Sequence, residues 1–353
     1  MRGLFLVLFL LVSVLIYGID FHLEVPVAYI ESSEGIATNL NKNDEQFYES
    51  SRILFTGDVF LGRDVERRNI GSEEVLPFEI FSLFATSTAI VINFEGAIPQ
   101  IHTPTPDFGM QFSIDQRFLP VLAKAGITHA SLANNHALDH GAAGLQHTIS
   151  ALDSVGITPF GHPTELRTDS VRYITAPPHQ IALVGLHTLF SEPSQSDIDE
   201  VFKFAAKDSD MVIVYVHWGE EYQLEHSVRQ ERLAQRLVTA GADLIIGHHP
   251  HVVQGIYMVD DVPVIYSLGN TIFDQYFSAD VQEGLLVELV LGDESLHLFL
   301  HPISSIGTPT RPRLMDIDER DTWLTSLAER SDPALAADIQ NGKISWRSDL
   351  LNQ

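Results

Sequence analysis

The sequence predicts an α/β protein in which short buried strands alternate with amphipathic helices, and three observations carry that prediction. Five apolar runs, Ile53-Leu54-Phe55, Ala89-Ile90-Val91-Ile92, Val212-Ile213-Val214-Tyr215-Val216, Leu244-Ile245-Ile246 and Val264-Ile265-Tyr266, have the length and composition of buried strands. Between them lie stretches with helical spacing, such as Leu145, Ile149 and Leu152 or Leu233, Leu237 and Ala240, followed by Gly156 and Gly241 at positions that end a helix. Each strand run also gives way to a polar cluster at its carboxyl end, where ligands bind in folds of this class. Buried runs joined by helical crossovers imply a largely parallel sheet covered on both faces, with its polar clusters converging in one crevice.

Taken in order, the chain opens with Arg2 before an apolar stretch from Gly3 to Ile19. That length falls a little short of the about 20 residues of an average membrane helix but lies within the observed range. An uncleaved anchor, with Arg2 held inside and the remaining chain outside the cytoplasm, is the first reading of residues 1–19. A cleaved signal that releases a secreted or periplasmic protein is the second, although the region around Tyr17, Gly18 and Ile19 lacks a small-x-small cleavage site. Residues 20–51, rich in Ser, Asn and Glu without regular periodicity, read as a flexible stalk. Residues 52–307 form the main domain, completed by a hairpin in which Gly292-Asp293-Glu294-Ser295 joins the runs Leu285 to Leu291 and Leu296 to Leu300. Residues 308–353 read as a C-terminal extension, with Thr308 to Arg313 a connector and Asp321 to Arg330 a short exposed helix.

Composition narrows the function. With 21 Lys plus Arg against 47 Asp plus Glu, the formal net charge is −26, which repels nucleic acid and excludes it as a partner. The absence of cysteine removes disulfides, thiolate ligands and thiol nucleophiles from consideration.

The clusters supply oxygen and imidazole ligands instead. His249-Pro250-His251 places two imidazoles in a turn where both reach one cation or straddle two, and imidazole suits Zn, Mn, Fe or Co. His217 ends the most β-like run and adds another imidazole, while Asp58 and Glu95 supply hard anionic ligands after two other strands. In Ala133-Asn134-Asn135-His136-Ala137-Leu138-Asp139-His140-Gly141, an Asn carbonyl can bind a hard metal without adding charge, leaving His136 to move a proton. Asp139, three residues on, stands where it can fix the tautomer of His136 and raise its basicity. Arg63, Asn134 and Asn270 are candidate substrate contacts, Arg63 through bidentate hydrogen bonds to a phosphate or carboxylate. Asn93 and Glu220, with Glu221, Tyr222 and Asp274, are candidates to orient the ligands. His248 reads as a bystander, because it points away from its neighbours if the turn stays extended.

With these residues in hand, the chain resembles the CapA family of poly-γ-glutamate capsule biosynthesis proteins, a branch of the calcineurin-like metallophosphatase fold. The resemblance runs from about Arg52 to Pro302 through six motifs in order, which begin at Gly57, Asn93, Ala133, His217, Gly247 and Ser267. It implies a four-layer α/β/β/α sandwich, Asn135, His217, His249 and His251 as metal ligands, and His136 assisting the leaving group. The phosphatases' first motif is Asp-x-His where this chain has Asp58-Val59-Phe60, and Glu95 stands where their second motif carries a bridging Asp. One or two divalent ions, drawn from Mn, Zn, Fe or Mg, are therefore implied. Two functions follow from the resemblance. One is a metal-dependent hydrolase of phosphoester or amide bonds acting on an anionic capsule polymer or a phosphoester. The other is a non-enzymatic assembly or anchoring protein with a structural or vestigial metal site. Membrane components of a capsule synthase are the partners implied.

Overall fold

The computed structural model describes residues 51–69, 76–292 and 296–346. The expected anchor, and all of the expected stalk except Ser51, lie outside the described residues. The described residues form one compact unit. Among the described residues no helix is long and apolar enough to cross a membrane.

The expected strands form, but they belong to two sheets. The first contains β1 (Arg52–Val59), β2 (Ala89–Phe94), β3 (His129–Ser131) and β4 (Thr158–Phe160) in parallel, interspersed with α1 (Arg63–Asn69), α2 (Leu119–Lys124) and α3 (Gly141–Ser154). The second contains β5 (Arg172–Ala176), β6 (His179–His187), β7 (Met211–His217), β8 (Leu244–His248), β9 (Ile256–Val259) and β10 (Val262–Ile265), with α4 (Gln195–Ala205) and α5 (Val228–Ala240) as crossovers. Its order is β5-β6-β7-β8-β10-β9, parallel in the middle and antiparallel at both edges. The chain then returns to the first sheet through β11 (Asn270–Ile272) on β1 and the antiparallel hairpin β12 (Glu283–Leu291) and β13 (Leu296–Ser304), paired Leu291 to Leu296 as its sequence suggests.

The single doubly covered sheet read from the runs is thus corrected to two facing mixed sheets, and the side-chain directions show why the runs could not tell them apart. Ile53 and Phe55 of β1 pack in one core with Ile213 and Tyr215 of β7, between the sheets. Leu54 points the other way, into a core with Leu119, Leu122, Leu145 and Leu152 of α2 and α3. Val212, Val214 and Val216 of β7 pack on Ile198, Val201 and Phe202 of α4 and Leu233 and Leu237 of α5. Strands β1, β2, β7 and β8 are buried on both faces whether the second neighbour is a helix or another sheet, so a continuous apolar run results either way. The layers are α/β/β/α, as the resemblance implies.

Local sequence fixes the helix ends. Ser194 with Asp197 and Ser227 with Gln230 form capping boxes at α4 and α5, and Gly241 adopts a left-handed conformation, φ 107°, that stops α5. The C-terminal segment is not an appendage. Helix α6 (Ile317–Glu329), capped by Asp316 and Glu319, is longer than the expected exposed helix and buries Trp323, Leu324 and Leu327 in the inter-sheet core. After β14 (Arg313–Leu314), α6 and α7 (Ala336–Asn341), strand β15 (Lys343–Trp346) pairs with β13 and adds Ile344 and Trp346 to the same core.

Candidate metal centre

Both sheets deliver polar side chains to one crevice at their carboxyl ends. Asp58 of β1 lies in register with Asn93 of β2 and with Asn270 of β11. Glu95 follows β2, and Asn134, Asn135 and His136 follow β3. From the second sheet, the terminal residues His187, His217 and His248 of β6, β7 and β8 stand side by side in register. The close approach of β1 to the loop before β11 requires Gly57, since a Cβ there would lie 2.0 Å from the Gly269 carbonyl oxygen.

Asp58 is the hub. Fully buried, it accepts a hydrogen bond from Asn93 Nδ2 at 2.7 Å, and its other oxygen lies 3.3 Å from the His249 backbone nitrogen and 3.2 Å from His251 Nδ1. His251 Nδ1 is also 3.0 Å from Asn270 Oδ1, and its Nε2 is 3.7 Å from Glu95 Oε1. Burial alone would push the Asp58 carboxyl up, but His248 and His251 outweigh it and hold it well below the usual carboxylate range. Glu95 is pushed well up, by burial and then by the Asp58 charge. Burial works against a charge on His251, yet Glu95 and Asp58 prevail and raise it to about 9.

That shift makes a prediction for the metal-free protein. Folded His251 keeps its proton to about pH 9, whereas unfolded it releases it near its ordinary value of 6.5. The stability it contributes is therefore full below pH 6.5 and lost as pH rises through about 9, amounting to about 3 kcal/mol at most. Urea unfolding in the presence of chelator across that window should show the decline, and His251→Gln should flatten it. An equal decline in the variant would show that another group is responsible.

His217 faces the other side of the crevice. Its Nε2 donates to Asn135 Oδ1 at 2.8 Å, while its Nδ1 accepts from Asn93 Nδ2 at 3.3 Å. Its ring centroid is 4.8 Å from that of His249. Burial, and then a neighbouring imidazole (His249 beside His217, His251 beside His249), holds both neutral, with His249 lowered to about 3. Neutral imidazole is the form that binds a metal. Positive φ values at His249 (96°) and His251 (58°) turn the chain sharply, so strand alternation does not continue through this segment. His248 is consequently no bystander: its Nδ1 lies 3.3 Å from Asp58 Oδ1, although not aligned as a hydrogen bond, and its ring packs on Tyr215 at 4.0 Å.

His136 stands apart from the candidate ligands as a separately positioned group. Its Nδ1 is 2.8 Å from Asp139 Oδ2, an oxygen that also accepts from the Phe112 backbone nitrogen at 2.6 Å. The Phe112 ring stacks on the imidazole, with centroids 3.7 Å apart and planes 12° from parallel. Phe112 was not singled out in the sequence, where a lone Phe gives no sign of a partner 24 residues away.

Several expected roles change. Arg63 reads from sequence as a substrate contact, but its guanidinium is engaged in a paired interaction with Asp274, at 3.0 Å from Nε and 2.6 Å from Nη2, and lies over the Phe112 ring. Asn134 is wholly buried: its amide donates to Asn93 Oδ1 and the Phe94 carbonyl, and its oxygen accepts from the His136 nitrogen. It shapes the turn and leaves nothing for substrate. Asn270 likewise orients His251 while donating to Gln275 and the Val281 carbonyl. Glu220 is exposed, and it is Glu221 that comes within 4.8 Å of His249 and His251.

The donor set fits a divalent metal. Asp58, Glu95 and His217 bring ligand atoms within 4.8 Å of one another, as do Glu221, His249 and His251. Glu95 Oε1 and His249 Nδ1 are buried without hydrogen-bond partners, and Asn135 Oδ1 adjoins His217 Nε2 at the spacing of neighbouring ligands. Glu66, His102 and Asp115 form another such group among the described residues, but there His102 bridges Glu66 and Ser113, and both Asp115 oxygens are held by Arg117.

Residues 52–275 match the family model described as bacterial capsule synthesis protein PGA_cap. The chain is 28% identical over 314 residues to the PGA biosynthesis protein CapA of Bacillus subtilis, covering 84% of this chain and 82% of that one. It is 27% identical to the capsule biosynthesis protein CapA of Bacillus anthracis, covering 76% of this chain and 70% of the other. Among solved structures, a phosphatase from Mycoplasma pneumoniae aligns with a TM-score of 0.45 at 13% identity, over 75% of this chain and 92% of that one.

Proposed function

The chain belongs to the PGA_cap family of bacterial capsule synthesis proteins, and from that premise we propose that it is a divalent-metal-dependent hydrolase of phosphoester or amide bonds in capsule polymer metabolism. The observation that carries this reading is the division of labour in the crevice. Asp58, Glu95, Asn135, His217, His249 and His251 converge as a ligand set, while His136 is held beside them by a separate carboxylate. A cation bound there supplies Lewis-acid polarisation of the scissile bond. Asp58 and Glu95 provide the negative charge that retains the cation, and Asn135 adds a neutral oxygen. Asp139 accepts the Nδ1 proton of His136, so that a second proton on Nε2 is presented for the leaving oxygen or nitrogen, and the Phe112 stack fixes the plane of the ring.

The test is hydrolysis of phosphomonoesters, phosphodiesters and γ-glutamyl amides with added Mn, Zn or Mg. Metal-dependent turnover of one class is expected. Inactivity on all of them would favour the assembly or anchoring protein, a reading to which the net charge of −26 lends weight because it repels a polyanionic substrate.

The same reading places residues 1–19 as a membrane anchor with the domain outside the cytoplasm. Fractionation with membranes, and digestion by protease added to intact cells, are the expected results. Complete protection of the domain would reverse the topology.

A further inference from the structure

His187 was passed over in the sequence, where it is a lone histidine in Leu186-His187-Thr188, yet β6 sets it beside His217 in register. We propose that His187 is a further ligand of the divalent-cation centre, binding through Nε2. The inference rests on the metal-centre reading above and extends it to a residue outside the six motifs.

Its hydrogen bonding fixes which nitrogen is available. Nδ1 lies 2.5 Å from the Pro163 carbonyl oxygen, which can only accept, so Nδ1 carries the proton and neutral His187 has a bare lone pair at Nε2. That atom is buried and has no hydrogen-bond partner, in a residue only 7% exposed. A buried acceptor with nothing to accept from requires an explanation, and a cation provides one. An imidazole that donates its other N–H to a backbone carbonyl is also the arrangement that orients metal-binding histidines.

Ring geometry agrees. The His187 centroid is 5.7 Å from that of His217 at an interplanar angle of 71°, and His217 is 4.8 Å from His249 at 52°. Two imidazoles that bind one ion at about 2.0–2.1 Å place their centroids about 4.5–6 Å apart. Phe190 packs edge-on against His187 at 5.1 Å and braces it. The three imidazoles thus form a row along the second sheet's side of the crevice, with Asn135 Oδ1 opposite the middle one.

The test is titration of chelator-stripped full-chain protein with Co2+, following affinity and visible absorption, for the wild type and for His187→Gln and His217→Gln. Gln at 187 retains an N–H for the Pro163 carbonyl, and melting of the metal-free variant checks its fold. Should it fail to fold, His187→Asn is read in its place. The expected result is a loss of at least about tenfold in Co2+ affinity together with a changed absorption band, as in His217→Gln. Unchanged affinity overturns the proposal, and so does weakened affinity with an unchanged band, which would make His187 a positioning residue. Wild-type protein that binds no Co2+ would instead refute the metal-centre reading itself.

Discussion

Asp58→Asn is expected to lower divalent-metal affinity by more than about 100-fold and, in the metal-free protein, to cost about 3–5 kcal/mol of stability. The substitution keeps the shape of the side chain and removes its charge. Asp58 is entirely buried and faces His248 at 3.3 Å and His251 at 3.2 Å, with Asn93 donating to it at 2.7 Å. Without its charge, a protonated His251 loses its nearest carboxylate, and Glu95, 3.7 Å away and itself pushed well up by burial, replaces it poorly. Breaking one side of a buried pair leaves an uncompensated charge, and that is where the large cost arises. With metal present the same change removes a hard anionic ligand at the junction of the two halves of the crevice. Calorimetric titration with Mn2+ and urea unfolding with chelator measure the two effects separately. Full metal affinity in the variant would remove Asp58 from the ligand set.

The contrast between Asp58 and Arg63 shows what the sequence can convey. That Asp58, Glu95, His217, His249 and His251 meet in one crevice was legible because each follows a strand run, and the carboxyl ends of parallel strands share one edge whichever sheet they join. The number of sheets was legible only through the family resemblance and not from the apolar runs, since Leu54 and Phe55 are equally buried whether they face a helix or another sheet. Arg63 read as a free cation near the site because its partner, Asp274, lies 211 residues away. His248 was misplaced by assuming an extended turn, when positive φ at His249 and His251 reorients the chain. His187 carried no local signal: what distinguishes it is a carbonyl from Pro163 and a neighbouring strand, both contributed by tertiary structure. The short exposed helix expected near Asp321 to Arg330 similarly missed an earlier start, with Asp318 and Glu319 in the first turn, and a face of Trp323, Leu324 and Leu327 that completes the core.

His136→Ala should separate chemistry from metal binding, and it is the change that divides an enzyme from an assembly protein. The imidazole hydrogen-bonds to Asp139 at 2.8 Å and stacks on Phe112 at 3.7 Å, and none of its contacts is to Asp58, Glu95, His249 or His251. Its removal should therefore leave Mn2+ affinity near that of the wild type. Turnover of whichever substrate class the wild type hydrolyses should fall about 10²- to 10⁴-fold, the range for loss of a general acid or base. Asp139→Asn should produce a smaller loss in the same direction, because the imidazole remains but its Nδ1 proton faces a neutral oxygen. That variant also weakens the anchor of the Phe112 backbone, so its fold is to be checked by thermal melting. Asp58→Asn, in contrast, should lose metal and turnover together. If metal-loaded His136→Ala retains the wild-type rate, His136 does not move the proton. A wild-type chain that binds metal and hydrolyses nothing leaves no rate to lose in any variant, and the centre would then serve assembly.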